Sequence, residues 1–355
     1  MKITTPFQYI NPQGAVVHPL PEWASDKQLL DFYTTLVLIR QFDKKAVALQ
    51  RTGQLGTYPS CLGQEAFSLG IGFAMKEDDV FAPYYRDQGA QYLRGMRFST
   101  QLQYWGGDER GSNNAQSQDL PNSIPISTQI SHAAGIASAI KINNETRAVV
   151  TTCGEGATSR GDFYEPLNLA GVWQLPMITV VNNNHWAIST PSTIQTNVNQ
   201  IADKALAVGI EGVTIDGNDI CAVFDAVSQA LNKAYQHKGA TLIEAMCYRL
   251  GDHTTADDAT RYRSAEEVNE AWKFDPIKRL QTYLFNHSLW SPEKEQVLIT
   301  QNQQLIDKEV SEYLSSPPAL PGDCFDYLYE ELPYIMQEQR AHFIQKAAKA
   351  TNARG

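Results

Sequence analysis

A carboxylate and an amide stand just beyond two neighbouring runs of β-branched and apolar residues. Glu155 follows the run 147–152, and Asn184 follows the run 177–181, 29 residues after Glu155. Magnesium prefers hard oxygen ligands and is commonly held by one or two protein oxygens together with phosphates. The Glu155 carboxylate, the Asn184 amide oxygen and a backbone carbonyl near Trp186 can supply such oxygens. The pattern suits a divalent metal that holds a diphosphate.

Small residues surround this carboxylate. Gly154, Gly156 and Ala157 let backbone N–H groups approach a phosphate closely, at a helix start whose dipole favours an anion. The alternative to a phosphate site is a purely structural turn. A single G-x-G after a strand is a weak signal for phosphate binding, and an asparagine triplet is usually a turn. The two features at this spacing are much more specific together than either is alone.

The elements that must position these groups form a strand–helix–strand unit. Both runs have the composition of strands, and residues 162–173 carry apolar side chains at close to helical spacing. Because the carboxyl ends of adjacent parallel strands face one crevice, we expect Glu155 and Asn184 at the same rim. Proline is tolerated only in the first turn of a helix, so Pro166 predicts that this helix begins no earlier than Gly161.

Two further clusters have the chemistry to bind an anion or move a proton. The Arg86 guanidinium can bind phosphate oxygens bidentately and the Tyr85 phenol can donate a hydrogen bond. A surface turn with Arg86 paired to an acid explains the same residues equally simply. His253 lies in a charged loop directly after the strand-like segment 241–247, where catalytic loops tend to lie. An imidazole with a pKa near neutrality suits a general acid, and an ordinary solvated histidine is the alternative.

A segment rich in hydroxyl groups precedes another helix. Its oxygens can ring a weakly hydrated monovalent cation, or can simply cap the helix that opens near Thr128. These oxygens belong to Ser123, Pro125, Thr128 and Gln129. We expect His132, just beyond, to be a packed helix residue.

The longest motif of the chain reads G-E-G-A-T-S-R-G-D-F-Y-E-x-L-N-x-A-G-V-W-x-L-P and is followed by N-N-N-H-W-A-I-S-T-P. It resembles the thiamine diphosphate motif of the 2-oxo acid dehydrogenases, specifically the alpha subunits of their decarboxylating component. The similarity runs from about residue 29 to the C-terminal region. It implies a thiamine diphosphate-binding fold with thiamine diphosphate and Mg²⁺ as cofactors. It also implies two partners, a beta subunit in an alpha2beta2 heterotetramer and the lipoyl acyltransferase core of a larger complex.

The resemblance also assigns residues, position by position. It implies magnesium ligands at Glu155, Asn184 and the carbonyl of Trp186. It implies potassium ligands, as in branched-chain members, at Ser123, Pro125, Thr128 and Gln129. It implies cofactor contacts at Tyr85, Arg86, Gly154, Glu155, Gly156, Ala157, Asn184, Trp186, Ala187, Ile188 and His253. The implied catalytic residue is His253, which would assist the transfer of the acyl group.

Some positions depart from the family pattern. Glu155 stands where Asp is usual. Because Glu occurs in some branched-chain members, this departure affects the assignment of the substrate more than the prediction that the residue binds a metal. Pro166 replaces the more usual Ala. Thr254 aligns with the serine phosphorylated in mitochondrial relatives, and a threonine in a chain of bacterial type argues against that regulation. Glu65 is not assigned as the glutamate that activates thiamine, because the resemblance places that residue in the beta subunit and makes the Gly-Gln-Glu-Ala segment a structural helix start.

The overall composition narrows the class of protein. A formal net charge of −10 without a basic cluster argues against a nucleic-acid surface. The cysteines are dispersed, which indicates reduced thiols. No apolar run is long enough to span a membrane and residues 1–14 carry no targeting pattern, so we expect a cytoplasmic protein without a membrane partner.

The order of elements predicts an α/β protein with a doubly wound, mostly parallel sheet and a helical C-terminal region. We expect an N-terminal arm at 1–25, the α/β domain at 26–290 and a C-terminal extension packed on it at 291–355. Helices are predicted at 26–50, 219–235, 265–284, 292–313 and 333–347, and a mobile loop at 106–122.

The favoured hypothesis is an enzyme subunit that decarboxylates a 2-oxo acid, with pyruvate as the first choice, branched-chain oxo acids second and acetoin third. Segments 53–66 and 330–333 resemble bacterial pyruvate members, whereas Glu155 and segment 123–129 favour branched-chain members. The alternative from another class is an assembly or regulatory paralogue that lacks the metal. A nicotinamide-binding oxidoreductase is disfavoured, because the third glycine and the acidic ribose ligand of that fold are missing.

Overall fold

The structure is a computed structural model that describes residues 6–113, 118–326 and 328–352, without the side chains of 350–352. Its strands are β1 (Val80–Ala82), β2 (Val149–Gly154), β3 (Met177–Asn183), β4 (Trp186–Ala187), β5 (Thr190–Pro191), β6 (Glu211–Asp216) and β7 (Thr241–Met246). Its helices are α1 (Asp26–Arg51), α2 (Glu65–Ala74), α3 (Gln88–Leu93), α4 (Phe98–Trp105), α5 (Thr128–Ile142), α6 (Gly161–Trp173), α7 (Ile220–Tyr235), α8 (Ala265–Ala271), α9 (Pro276–Asn286), α10 (Pro292–Ser315), α11 (Asp323–Asp326) and α12 (Tyr334–Asn352).

Five parallel strands form the central sheet of the described chain, in the order β1-β2-β3-β7-β6. The register pairs Gly154 with Asn182, and Asn182 in turn with Ala245. The carboxyl ends of β2, β3 and β7 therefore finish side by side at one edge of the sheet. This arrangement confirms the predicted α/β fold with a parallel sheet.

Helices cover both faces of this sheet. Val150 packs in a core shared with α1, α2 and α7, whereas its neighbour Val149 packs in a core shared with α5 and α6. Successive side chains of a strand point to opposite faces, so a strand that is buried on both faces needs a continuous apolar run. The sheet is doubly wound, as predicted.

Several helix starts agree with the sequence. The Ser25 hydroxyl accepts a hydrogen bond from the backbone N of Gln28 and caps α1. The Asp219 carboxylate caps α7 through the backbone N of Cys221 at 3.1 Å. Helix α6 begins at Gly161, no earlier than predicted, but Pro166 is its sixth residue and so lies inside the helix and not in its first turn.

The single helix predicted at 265–284 is wrong. The structure divides it into α8, a 3₁₀ turn at Trp272–Phe274 and α9. Pro276 is the first residue of α9, and Asp275 caps it by accepting a hydrogen bond from the backbone N of Ile277 at 2.9 Å. Proline lacks an N–H and disfavours the helical conformation of the preceding residue, so a helix restarts here instead of continuing.

The N-terminal segment lies along β6 and α7. Phe7 pairs with Ile215 of β6 as a parallel bridge, and the backbone N of Tyr9 donates to Asp219 at 2.6 Å. The loop predicted at 106–122 contains a 3₁₀ turn at Glu109–Ser112, and its residues 114–117 lie outside the described residues.

The chain forms two compact units, Met1–Tyr313 and Leu314–Gly355. The second unit contains α11 and α12, and an ion pair between Arg340 and Asp326 at 2.5 Å connects these two helices. The predicted boundaries at residues 25 and 290 remain predictions. In the part of the chain described here, no helix combines the length and the apolar character needed to cross a membrane.

Candidate active site

A cavity of about 750 Å³ opens at the carboxyl ends of β2 and β3. Segments that follow β1, β2, β3 and β7 contribute to its walls, as the crevice rule for parallel sheets predicts. It is lined by the predicted residues Tyr85, Arg86, Ser123, Gln129, Gly154, Glu155, Gly156, Ala157, Asn184, Trp186, Ala187, Ile188 and His253. Residues that are far apart in the chain therefore meet at one site. Pro125 and Thr128 do not line the cavity.

Glu155 is the carboxylate of this site and is only 3% exposed. Its Oε2 atom accepts a hydrogen bond from the backbone N of Asn184 at 3.4 Å. Its buried Oε1 atom has no hydrogen-bond partner of good geometry among the described residues. Burial raises the pKa of Glu155, because a desolvated carboxylate without full pairing is costly. A cation beside Oε1 would offset that cost.

The other predicted metal ligands are also oxygens. Asn184 is buried, and its Oδ1 atom accepts a hydrogen bond from the backbone N of Trp186 at 3.2 Å. No cluster of three or more histidine, cysteine, aspartate or glutamate side chains with metal-binding spacing occurs within the described residues. One carboxylate, one amide and one carbonyl make a hard oxygen set, which fits Mg²⁺ bound together with phosphates and does not fit a soft metal.

Arg249 holds the segment that carries the predicted third ligand, and its sequence context did not assign it to the site. Its buried guanidinium donates to the carbonyl of Trp186 at 3.0 Å and to that of Ile188 at 2.8 Å. Ile188 has a φ of 55°, a left-handed conformation that is strained for a β-branched residue. A carbonyl has two lone pairs, so the Trp186 oxygen can accept from Arg249 and still bind a metal.

The backbone around the predicted phosphate site differs from the expected direct start of a helix. Residues Glu155–Ser159 form a 3₁₀ turn, and helix α6 begins after it at Gly161. The backbone N–H groups near Gly156 therefore belong to this short turn, and the dipole of α6 does not start at them. The reason is that the turn and Arg160 intervene between β2 and α6.

Gly154, at the end of β2, and Gly156, in the turn, have different surroundings. A Cβ added to Gly154 would meet no atom within 4 Å, so this glycine leaves open space at the cavity wall. A Cβ added to Gly156 would lie 2.5 Å from the Cβ of Ala187, so only glycine fits there. The predicted small residues are therefore explained by an open wall at one position and by close packing at the other.

A buried lysine supports the same turn, and the sequence did not indicate it. Lys204 donates to the carbonyl and the hydroxyl of Thr158, at 2.8 and 2.9 Å. The Thr158 hydroxyl in turn donates to the carbonyl of Glu155 at 2.7 Å. The turn that carries the carboxylate is thus tied to the 3₁₀ helix Ile201–Val208.

Arg86 and His253 are in direct contact. Arg86 is 2% exposed, and its guanidinium contacts Nδ1 of His253 at 2.9 Å and donates to the carbonyls of His253 and Ser60, both at 2.6 Å. Tyr85 lies beside this pair, with the guanidinium carbon 5.3 Å from its ring centre. The alternative of a surface turn that places Arg86 against an acid is wrong, because the side chain is buried and these are its hydrogen bonds.

The expected near-neutral pKa of His253 is also wrong for this state of the protein. Burial, together with the positive charges of Arg86 and Arg249, lowers the pKa of His253 to about 3. Arg86 has only donors, so the Nδ1 atom it contacts is the acceptor, and the neutral ring carries its hydrogen on Nε2. The histidine in this cavity is a neutral hydrogen-bond donor.

The loop around His253 has its own internal hydrogen bonds. The Oδ2 atom of Asp257 accepts from the backbone N of His253 at 2.9 Å and from the Tyr262 hydroxyl at 2.5 Å. The Tyr262 hydroxyl also accepts from Arg249 at 2.8 Å. Thr254 is half-buried, and its hydroxyl accepts from the backbone N of Ala256 at 3.3 Å. This network connects the Trp186 segment with the histidine loop.

The predicted potassium segment is arranged around α5. The N-cap residue Ser127 makes no side-chain cap; its hydroxyl donates to the carbonyl of Ala157 at 2.9 Å. Gln129 donates through Nε2 to the carbonyl of Thr152 at 2.6 Å, and its buried Oε1 atom has no hydrogen-bond partner among the described residues. His132 is exposed on α5, so the expectation that it packs in the core is wrong.

The Gly-Gln-Glu-Ala segment combines a structural residue with one that contacts the site. Glu65 is fully buried, forms an ion pair with Arg40 and accepts from the backbone N of Gly63 at 3.0 Å. Gln64 reaches the other way, and its Oε1 atom accepts from Nδ2 of Asn184 at 2.8 Å. The sequence did not identify Gln64, because nothing local indicates a contact with a residue so distant in the chain.

Comparisons with known proteins agree with this site. Residues 33–321 match the family model of the dehydrogenase E1 component. The pyruvate dehydrogenase E1 component subunit alpha of Mycoplasma pneumoniae is 35% identical over 340 residues, which cover 95% of each chain. The same subunit of Acholeplasma laidlawii is 39% identical over 334 residues, which cover 92% of this chain and 96% of the relative. The 3-methyl-2-oxobutanoate dehydrogenase subunit alpha of Mycobacterium tuberculosis is 37% identical over 352 residues, which cover 97% of this chain and 95% of the relative. The resemblance drawn from the motifs is confirmed, and the chain belongs to the dehydrogenase E1 component family.

Proposed function

We propose that this protein is the alpha subunit of a thiamine diphosphate- and Mg²⁺-dependent pyruvate dehydrogenase. The observation that carries the proposal is the convergence of Glu155, Asn184 and Arg86 on one cavity, with a buried carboxylate oxygen that has no partner of good geometry among the described residues. Relatives named as pyruvate dehydrogenase alpha subunits are 35% and 39% identical over more than nine-tenths of this chain.

The chemistry of the residues fits the cofactor. Glu155, Asn184 and the Trp186 carbonyl would hold Mg²⁺, because they offer three hard oxygens at one rim. Arg86 and Tyr85, with the backbone N–H groups of residues 154–157, would bind the diphosphate. When bound, thiamine diphosphate supplies a nucleophilic carbon and an electron sink for decarboxylation.

His253 has a role that depends on Arg86. Contact with Arg86 keeps Nδ1 free of hydrogen, so Nε2 carries the hydrogen of the imidazole, and His253 is part of the cavity lining. An anion that engages Arg86 would weaken the effect of its positive charge on the imidazole and raise the pKa of His253. The same ring would then hold and release a proton during transfer of the acyl group to the lipoyl group of a partner acyltransferase.

The chain needs a beta subunit to complete this site. Glu65, whose sequence context could suggest the thiamine-activating glutamate, is fully buried and engaged by Arg40 and the backbone N of Gly63. It is therefore not available to a ligand in the cavity. We propose an alpha2beta2 assembly in which the beta subunit supplies that carboxylate, bound to a lipoyl acyltransferase core. All five cysteines are free, in keeping with the proposed cytoplasmic location.

A branched-chain substrate is the second candidate, and acetoin is the third. Glu155 and the Mycobacterium tuberculosis relative favour the second, and so does the apolar part of the cavity wall, where Tyr85, Ile124 and Ile126 lie. The potassium site proposed with it is supported by the buried Oε1 atom of Gln129, which accepts no hydrogen bond from a described residue. The proposed ligands remain Ser123, Pro125, Thr128 and Gln129.

The test is the substrate profile of the reconstituted complex. The chain is co-expressed with its beta subunit, supplied with the lipoyl acyltransferase, and assayed for acylation of the lipoyl group over a range of concentrations of pyruvate, 3-methyl-2-oxobutanoate or acetoin. Acylation is measured because acetoin is cleaved without release of CO₂. The proposal predicts the highest kcat/KM with pyruvate. A higher value with 3-methyl-2-oxobutanoate would reassign the substrate, and no turnover with any of the three would favour the regulatory alternative.

A further inference from the structure

A buried glutamine outside the predicted site lies against its asparagines. Gln64 is 1% exposed. It precedes Asn182 by 118 positions in the sequence and Asn184 by 120. Its Oε1 atom accepts from Nδ2 of Asn184 at 2.8 Å and from Nδ2 of Asn182 at 3.0 Å. Nδ2 of Asn182 also donates to the Tyr84 hydroxyl at 2.7 Å. One carbonyl oxygen thus receives two buried amide donors.

This contact decides which end of the Asn184 amide faces the cavity. An asparagine ligates a metal only through Oδ1, and Nδ2 opposite a cation would repel it. With Nδ2 held by Gln64, the Oδ1 atom is at the opposite end, where it also accepts from the backbone N of Trp186 at 3.2 Å. The acceptor on Gln64 therefore selects the orientation that a metal requires.

The backbone fixes Gln64 for this contact. Gln64 is the N-cap residue of α2, yet its side chain makes no cap hydrogen bond, and glutamine is not among the residues favoured there. Gly63 has a φ of 86°, and a Cβ on it would lie 2.6 Å from the carbonyl of Tyr248. The next residue, Glu65, is anchored by Arg40. The glutamine side chain is thus free of helix capping and aimed at the asparagines.

We propose that Gln64 is a positioning residue that orients Asn184 as a magnesium ligand. This inference rests on the proposed function, because it presumes that Asn184 binds Mg²⁺. Residues that orient the ligands of a metal typically change metal affinity by about 10–100-fold when they are replaced. The hydrogen-bond acceptor of Gln64, and not the volume of its side chain, accounts for the change in Mg²⁺ affinity.

The experiment measures Mg²⁺ affinity by isothermal titration of the alpha–beta complex at saturating thiamine diphosphate. Gln64→Leu removes the acceptor and raises the Kd for Mg²⁺ about 10–100-fold. Gln64→Glu keeps an acceptor for both amides and stays within about threefold of the unaltered complex. At saturating Mg²⁺ the kcat of Gln64→Leu returns to within about threefold of the unaltered complex, because the substitution changes the orientation of Asn184 and no group that takes part in the reaction.

A double-mutant cycle distinguishes an effect of Gln64 on the orientation of Asn184 from a general disturbance of the fold. Asn184→Asp presents a carboxylate with oxygens at both ends, so it needs no orienting partner, and in that background Gln64→Leu changes the Kd less than about threefold. If Gln64→Leu does not fold, Gln64→Met, which is nearer glutamine in length, takes its place.

The outcomes distinguish this inference from the function it rests on. A Gln64→Leu complex that binds Mg²⁺ like the unaltered one, or that loses affinity equally in the Asn184→Asp background, overturns the role of Gln64 alone. An unaltered complex that binds the cofactor without any dependence on Mg²⁺ overturns the proposed function, and the role of Gln64 with it.

Discussion

Replacing Arg86 tests how the cavity controls the proton of His253. The guanidinium contacts the imidazole at 2.9 Å, and together with burial and Arg249 it lowers the pKa of His253 to about 3. Two unit charges about 4 Å apart interact by about 4 kcal/mol at an effective dielectric constant of about 20, or roughly three pKa units. Because burial is the largest cause of the lowered pKa and the ring is only partly buried, we take about half of this interaction and expect Arg86→Met to raise the pKa of His253 from about 3 to roughly 4.5.

Hydrogen exchange at the imidazole C2 position, followed by mass spectrometry, reports the pKa of an individual histidine in a large complex. The unaltered alpha–beta complex without cofactor should show no inflection for His253 between pH 4 and 8, whereas Arg86→Met should bring one into this range, near pH 4.5. Arg86→Lys is the matched control, since it retains the charge and should keep the pKa low. A flat profile for Arg86→Met, or equal profiles for Met and Lys, would refute the electrostatic explanation.

Three further predictions concern packing and stability. Gly156→Ala should weaken thiamine diphosphate binding about tenfold or more, because its Cβ would lie 2.5 Å from that of Ala187; titration calorimetry measures this, and Gly135→Ala, whose Cβ meets nothing within 4 Å, is the control that should bind normally. Glu65→Ala should lower the free energy of unfolding by about 2–6 kcal/mol in urea melts, because Nε of the buried Arg40 and the backbone N of Gly63 lose their acceptor, at about 1–3 kcal/mol each, while Arg40 keeps its pair with Asp275. Loss of less than about 1 kcal/mol, the level expected for Asp31→Ala in the exposed pair with Lys27, would contradict that account. Burial raises the pKa of Asp87 to about 8; the folded state then holds a proton that the unfolded state releases near pH 4, so stability is lost as pH rises towards 8. Relative to Asp87→Asn, the unaltered protein should lose about 1.4 kcal/mol per pH unit between pH 5 and 7, and a difference that does not change with pH would show that the carboxylate is ionised in the fold.

The site residues that could be predicted from the sequence all follow a recognisable apolar segment. Glu155 and Asn184 each follow a recognisable strand, and parallel strands bring their carboxyl ends together without any knowledge of distant contacts. Arg86 and His253 were identified in the same way, as polar groups that follow apolar segments. Chain periodicity therefore placed Glu155 and Asn184 at one edge of one sheet, whereas the assignment of Arg86 and His253 to the candidate site depended on the family resemblance.

The residues that sequence reasoning missed depend on distant contacts. Gln64 contacts Asn184 across 120 residues, Arg249 contacts the Trp186 carbonyl across 63, and Lys204 contacts Thr158 across 46. None of them stands in a motif whose chemistry predicts such a partner. The lowered pKa of His253 was missed for the same reason, because its burial and the charge of Arg86, 167 residues away, both follow from the fold.

The contacts of Arg249 suggest how the two halves of the site communicate. Its guanidinium binds the carbonyls of Trp186 and Ile188 on one side and the Tyr262 hydroxyl on the other. Tyr262 and the backbone of His253 share the Asp257 carboxylate. A continuous set of hydrogen bonds therefore connects the Trp186 segment with the histidine loop.

The most direct test of the central claim is the Mg²⁺ dependence of cofactor binding. Thiamine diphosphate is titrated calorimetrically into the alpha–beta complex with Mg²⁺ and with a chelator, for the unaltered protein, Glu155→Ala and Glu155→Asp. Binding should require Mg²⁺, should be abolished in Glu155→Ala, and should persist in Glu155→Asp, which retains a carboxylate. Mg²⁺-dependent binding that survives in Glu155→Ala would contradict the assignment of this carboxylate as the metal ligand.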